Sequence, residues 1–289
     1  MALGRLPKLI GVIGAGQLGS GIAQVCAAKA LQVVLCDNNE DALDQAMANI
    51  KKRLASSVHK GKISTEEATA TIERLAPTTH MEDLRDVAIA IEAVPEREDL
   101  KRSTFALLDE LTSPETILAS NTSSISITRI AAATRRPEQV VGMHFMNPVP
   151  VMPLVELIRA RQTSDSVFMQ AKELAEHLGK KVCLSEDRPG FIINRCLMLM
   201  LNEAFYLWME GVATPEDIDR GIKLGLSHAM GPLQLADFIG LDTCLSVIRT
   251  LHQELGDSKY RPCPKLVQLV DAGWLGKKTQ RGVYIYPAK

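Results

Sequence analysis

The chain reads as an α/β protein, a doubly wound parallel sheet followed by a smaller all-α domain. Three observations predict this. Short apolar runs alternate with stretches of helical periodicity through most of the 289 residues, the pattern of a parallel sheet covered on both faces. The first run ends in a glycine turn that opens a helix, and an aspartate closes the second run. Beyond Asp187-Arg188-Pro189-Gly190 the strand signals vanish and helical periodicity takes over.

The elements follow in order. Residues 9–13 are a short apolar run leading into Gly14-Ala15-Gly16-Gln17-Leu18-Gly19. A helix is expected over 21–29 and a second strand over 32–36, ending at Asp37, which together make a β-α-β unit. Residues 42–58 have helical spacing, with Ile50 and Leu54 on one face and Lys51, Lys52 and Arg53 around it. Ser64-Thr65-Glu66-Glu67 is a helix start, predicting a helix over 65–75. Further strands are expected over 87–93, 117–119 and 140–144, with helical stretches between them.

In the second part, helices are expected over 191–210, 215–224, 241–255 and 264–271. Thr214-Pro215-Glu216-Asp217 supplies a hydroxyl cap, a first-turn proline and acids. The sequence therefore divides into an α/β domain over 1–186 and an α-helical domain over 187–289. The stretch 191–210 is apolar nearly all round, so more than one of its sides is expected to be covered. A homodimer through this domain is the resulting expectation, with the Met-rich run as packing material.

Bulk properties exclude several classes. The chain is 46% hydrophobic and 23% charged with a net charge of −1, so no basic field points to nucleic acid or an anionic membrane surface. The run Cys196 to Leu201 is far short of a membrane span. The six cysteines are scattered, without histidines at metal spacing; buried thiols in a reducing compartment are expected, and neither a disulfide framework nor a metal site. The first residues run almost directly into a strand, and the chain ends in Pro287-Ala288-Lys289. No signal or transit peptide and no peroxisomal address is read there, which makes a cytoplasmic location the expectation.

The glycine turn carries the first chemistry. Gly14 permits the tight turn, Gly16 lets the backbone approach a pyrophosphate, and Gly19 lets helix pack on strand. The helix starting there aims free N–H groups and its positive dipole end at phosphates. Asp37 stands where a carboxylate accepts bonds from adenosine ribose hydroxyls and repels a 2′-phosphate, which selects NAD over NADP.

His144 ends an apolar strand at the carboxyl edge, where open α/β sheets bind ligands, and has the pKa range of a general base. Glu156, on the next extended segment, is suited to orient the imidazole. Ser123 lies past another strand end, able to bond a substrate oxygen or to cap the following helix. Asn194 opens the first helix of the second domain, as a substrate-facing amide or a bridge between domains.

Five segments are more specific than packing demands: Glu92-Ala93-Val94-Pro95-Glu96, Ser120-Asn121-Thr122-Ser123-Ser124, His144-Phe145-Met146-Asn147-Pro148-Val149-Pro150 with Glu156, Pro189-Gly190-Phe191-Ile192-Ile193-Asn194-Arg195, and Met230-Gly231-Pro232-Leu233. In order and spacing they resemble the 3-hydroxyacyl-CoA dehydrogenase family over essentially the whole chain. The resemblance implies a Rossmann-type first domain, NAD as cofactor and an acyl-CoA thioester as substrate. It implies His144 and Glu156 as the catalytic pair, with Ser123 and Asn194 on the reacting oxygen. Glu96, Lys101, Ser123, Asn147 and Lys278 would contact the cofactor, although a surface salt bridge also accounts for Glu96 with Lys101.

Coenzyme A needs cations for its phosphates; Arg53 and Lys60, on the hairpin that in the family lies over this moiety, are the candidates, against a solvated charged face. Two departures stand out. Gln280 replaces a family glycine and Val283 a phenylalanine, which puts the backbone setting of Lys278 in question. The competing readings are a free hydroxy-acid dehydrogenase of the gulonate type and a non-catalytic NAD-binding protein.

Overall fold

The computed structural model describes residues 8–287; the first seven residues, in which the sequence predicts no leader, and the last two lie outside them. By its internal contacts the chain divides into one unit ending at Arg188 and another starting at Pro189. This is two residues past the boundary read from sequence, and Asp187 is the reason. Its carboxylate accepts from Ser126 Oγ (2.7 Å), Ile127 N (3.1 Å) and Thr128 N (2.8 Å), all in the first unit.

The described residues of the first unit hold eight strands: β1 (Leu9–Ile13), β2 (Gln32–Cys36), β3 (Leu75–Thr78), β4 (Ile89–Glu92), β5 (Ile117–Ser120), β6 (Val140–Phe145), β7 (Leu154–Arg159) and β8 (Lys181–Glu186). They form one sheet in the order β3-β2-β1-β4-β5-β6-β7-β8. Neighbours run parallel except β6 and β7, which are antiparallel. The sheet is thus the expected parallel one, with a reversal at the β6–β7 pair. The link from Phe145 to Leu154 is too short for the crossover a parallel pair requires, so the chain folds straight back.

Among the described residues six α-helices accompany the sheet: α1 (Gln17–Ala28), α2 (Glu40–His59), α3 (Thr65–Glu73), α4 (Glu98–Leu111), α5 (Ile127–Ala131) and α6 (Asp165–His177). Helix α1 begins four residues before the expected position, because Gly16 is itself the N-cap. Asn39 caps α2 by accepting from Ala42 N. Ser64 and Glu67 close a reciprocal capping box on α3, each such cap stabilising by about 1 kcal/mol. The core lies between sheet and helices around Ile10, Val12, Ile22, Leu35 and Ile91, all fully buried, each contributing about 1.5–3 kcal/mol relative to exposure.

The second unit is helical: α7 (Ile193–Met209), α8 (Pro215–Gly225), α9 (Pro232–Ile239), α10 (Leu241–Leu255) and α11 (Pro264–Asp271). Its core gathers Met198, Leu201 and Phe205 of α7 with Leu233, Leu245, Ile248 and Leu266, so the Met-rich run does pack. Short α9 escaped the sequence reading. It is fixed by Asp219 of α8, whose carboxylate accepts from Leu233 N and Gln234 N at 2.7 and 2.9 Å. Cys26, Cys36, Cys244 and Cys263 are buried, whereas Cys183 and Cys196 are exposed, against the expectation of buried thiols. Among the described residues no helix is long and apolar enough to cross a membrane.

Candidate active site

The glycine turn can be tested residue by residue. Gly14 has φ +102°, and a Cβ there would lie 2.6 Å from the Ala93 carbonyl oxygen. Its N–H donates to the Cys36 carbonyl, tying the turn to β2. A Cβ at Gly19 would fall 1.8 Å from the Gly14 oxygen. A Cβ at Gly16 would meet nothing within 4 Å. No intramolecular clash therefore demands glycine at Gly16, and the bare backbone is open for something outside the chain to approach.

No side chain caps α1, which leaves its first N–H groups for an anion. Asp37 accepts from Ala15 N at 2.7 Å and from Asn39 N at 3.0 Å, so it braces the turn as well as standing at the end of β2. Beside it a cavity of about 640 Å³ is walled by Val94, Pro95, Leu100 and Leu107, apolar surfaces suited to a flat purine. These features fit a dinucleotide.

At the carboxyl ends of β4 and β5 lies a charged cluster that the sequence reading saw only in part. Lys101 is 1% exposed. Its ammonium donates to Glu92 Oε1 (2.6 Å) and the Val94 carbonyl (3.2 Å) and lies 3.3 Å from Glu96 Oε2. Two of its donors are thus engaged on Glu92 and Val94, and its charge supports Glu96. The expected surface pair of Glu96 with Lys101 has one buried member, Lys101, whose fully buried partner is Glu92.

Glu92 is fully buried and also accepts from Val94 N and Ser120 Oγ. Burial pushes its pKa up, against the pull of Lys101 and these donors. Glu96 is held below the usual carboxylate range: burial raises it, but the Lys101 charge and the bonds from Thr122, Ser123 and Ser124 outweigh that. Its Oε1 accepts from Thr122 Oγ1 (2.6 Å), Ser123 N (2.9 Å) and Ser123 Oγ (3.1 Å). Ser123 is therefore not the cap of α5. That task falls to Ser126, which accepts from Arg129 N, together with Asp187.

His144 lies at the carboxyl end of β6, one residue before its last, and is the register partner of Glu156 on β7. Directly opposed residues in an antiparallel pair share one face of the sheet. His144 Nδ1 and Glu156 Oε2 are 2.7 Å apart, with Glu156 fully buried and His144 8% exposed. With Glu156 ionised, Nδ1 carries the proton and Nε2 is the basic nitrogen. Asn121 couples this strand to the serine turn: its N–H donates to the Glu92 carbonyl and its Oδ1 accepts from Phe145 N at 2.8 Å. Asn147 follows on the exposed loop after β6.

Arg53 turns its Nε to Gln24 Oε1 (2.6 Å) and its Nη2 towards Ser20, so much of its guanidinium is engaged on α1. Burial lowers its pKa. Lys60 is exposed just past α2.

In the second unit, the turn Pro189-Gly190-Phe191 leads into α7. Gly190 has φ +73°, where a Cβ would strike Leu251, and its carbonyl accepts from Arg195 N. This sets Asn194 in the first turn of α7. Lys278 is ion-paired with Asp242 at 2.6 Å. Gln280 has φ +60°, the left-handed backbone for which glycine is suited. Val283 N donates to Asp237 Oδ1 at 2.9 Å, a bond independent of its side chain.

Glu92, Asn121 and Asp187 carry much of this arrangement and were given no role from sequence. Glu92 and Asn121 sit inside the quoted segments, and an acid or amide at the end of an apolar strand was the available signal.

An α/β unit with this phosphate turn, ribose acid and polar strand-end cluster, followed by a helical unit, defines an NAD-dependent dehydrogenase. Residues 9–188 match the 3-hydroxyacyl-CoA dehydrogenase NAD-binding domain, and residues 190–286 match the C-terminal domain of the same enzymes. The chain belongs to the 3-hydroxyacyl-CoA dehydrogenase family. It is 54% identical to the 3-hydroxybutyryl-CoA dehydrogenase of Bradyrhizobium diazoefficiens over 96% of this chain and 95% of that one. It is 52% identical to a probable 3-hydroxybutyryl-CoA dehydrogenase of Bacillus subtilis, over 98% of each. The crystal structure of (S)-3-hydroxybutyryl-CoA dehydrogenase from Ralstonia eutropha superposes with a TM-score of 0.95 at 45% identity, covering 98% of this chain and 100% of that one.

Proposed function

We propose that the protein interconverts (S)-3-hydroxyacyl-CoA and 3-oxoacyl-CoA thioesters, with 3-hydroxybutyryl-CoA and acetoacetyl-CoA as the short-chain pair. The single observation that carries the mechanism is the buried 2.7 Å contact between His144 and Glu156. Bound NAD would supply the hydride acceptor for C3 of the hydroxyacyl group, and NADH the donor in the reverse direction. The alcohol proton needs a separate acceptor, and His144 Nε2 is the base for it. Glu156 holds the ring and stabilises the imidazolium that results. In reduction the same imidazolium returns the proton. Ser123 and Asn194 are assigned to hydrogen bonds with the C3 oxygen, Glu96 and Asn147 to the nicotinamide half of the cofactor, and Lys278 to a contact in the second unit.

Lys60 and the remaining face of Arg53 supply charge for the phosphates of coenzyme A. A homodimer through the second unit is supported by its exposed apolar side chains Met209, Val212, Leu224 and Leu226, which would be covered by a second copy. The names of the relatives favour the thioester over a free hydroxy acid. The deciding measurement is NADH oxidation with acetoacetyl-CoA against free acetoacetate. Turnover of the thioester is expected; turnover of only the free acid would defeat the assignment.

A further inference from the structure

We propose that Glu92, Lys101 and Glu96 act together as a fixed negative charge that favours the oxidised, cationic nicotinamide over the reduced, neutral one. The inference rests on the NAD-dependent reading above and adds the charge balance of the site to it. Glu92 accepts from Lys101, Val94 N and Ser120 Oγ, and Glu96 from Thr122, Ser123 and Ser124, the donor pattern of two ionised carboxylates; facing one ammonium, they give the cluster a net charge of −1.

The place of this charge follows from topology. The strand order reverses between β1 and β4, and a dinucleotide binds across such a crevice. Asp37, at the end of β2, takes the adenosine ribose, and the start of α1 takes the pyrophosphate. The other half of the dinucleotide then extends over the ends of β4 and β5, where Glu92, Glu96 and the serine turn lie. Hydride transfer changes the charge of one ring in this region by one unit.

A charge there acts with little screening. The Glu92 and Lys101 side chains are 0% and 1% exposed, and Glu96 is 36% exposed. Buried charges are screened by salt far less than surface ones, and the Coulomb energy falls only as the inverse of distance. Arg97 and Asp99 nearby are about two-thirds exposed and pair with each other, so solvent damps their contribution. The asymmetry in the cluster is the telling feature. Lys101 alone would have been neutralised by Glu92 alone; Glu96 adds a second carboxylate on the side of Ser123.

Glu92→Gln tests this with little change of shape. The amide oxygen still accepts from Lys101 and Val94, and the amide nitrogen donates to the Ser120 hydroxyl, which turns to accept. The cluster goes from −1 to 0. Affinities of NAD⁺ and NADH are measured by titration of the folded protein at pH 8, in the absence of substrate. The ratio of the NAD⁺ dissociation constant to that of NADH is expected to rise about tenfold, the size of a charge–charge interaction across several ångströms of protein.

A merely structural role for Glu92 would weaken both nucleotides alike, and an unchanged ratio overturns the proposal. Should Glu92→Gln fail to fold, Glu96→Gln makes the same change in charge, and an unchanged ratio there is equally fatal. A wild-type protein that bound neither nucleotide would instead sink the dinucleotide reading, a distinguishable failure that takes this inference with it.

Discussion

His144 and Glu156 are register partners on the antiparallel strand pair β6–β7, with Nδ1 and Oε2 2.7 Å apart. The reversal of direction at β7 is what brings them together, since cross-strand partners point to the same side of the sheet. The carboxylate fixes which ring nitrogen carries the proton. Glu156→Gln keeps the volume of the side chain but can turn its amide N–H towards the imidazole. The ring would then protonate on Nε2 and lose its basic nitrogen where it is needed. A fall in kcat of about a hundredfold or more is expected, with NADH affinity and circular dichroism unchanged. A kcat within about twofold of wild type would remove the pair from the mechanism.

Gln280 is the departure from the family pattern whose consequence is most direct. Its φ of +60° costs a side-chain-bearing residue about 1 kcal/mol. The turn persists because neighbouring groups hold it: Tyr286 N donates to the Gln280 carbonyl at 2.8 Å, and Asp237 accepts from Val283 N, Tyr284 N and the Tyr286 hydroxyl. Gln280→Gly is expected to raise the melting temperature by about 2–4 °C, read by calorimetry. A decrease would show that the glutamine side chain makes a compensating contact. The Val283 departure leaves its backbone bond intact, so the loop that carries Lys278 survives both changes.

Much of this arrangement is legible in the sequence. The run into Gly14, the aspartate closing β2 and the strand ending near His144 are local patterns, and local patterns survive folding. What was lost depended on partners distant in sequence. The burial of Lys101 is invisible without Glu92, nine residues earlier and fully buried, and a lysine with a glutamate nearby reads by default as a surface pair. Edge strand β8 has no buried residue along Lys181–Glu186, and its short apolar run Val182-Cys183-Leu184 is flanked by charged and polar residues, a weak strand signal. The start of α1 was placed late because glycine and serine lower helix propensity, although here Gly16 and Gly19 serve the phosphate turn. Asp187 looked like the start of the second unit until its three bonds to the start of α5 tied it to the first.

Gly16 and Gly19 of the turn should fail in different ways, and this separates folding from binding. At Gly19 a methyl group would lie 1.8 Å from the Gly14 carbonyl oxygen, which is backbone and cannot step aside. Gly19→Ala is therefore expected to displace α1 from β1 and destabilise the first unit by about 1–3 kcal/mol. At Gly16 the same methyl group meets nothing of the protein within 4 Å, so Gly16→Ala is expected to fold with its melting temperature essentially unchanged. Its methyl would stand where a pyrophosphate must approach the backbone, so NAD⁺ affinity should fall about tenfold or more. Thermal denaturation with and without nucleotide distinguishes the cases: Gly19→Ala lowers the baseline, whereas Gly16→Ala keeps the baseline and loses the shift produced by NAD⁺. A Gly16→Ala protein that retained the full shift would mean that the dinucleotide does not pass over this turn.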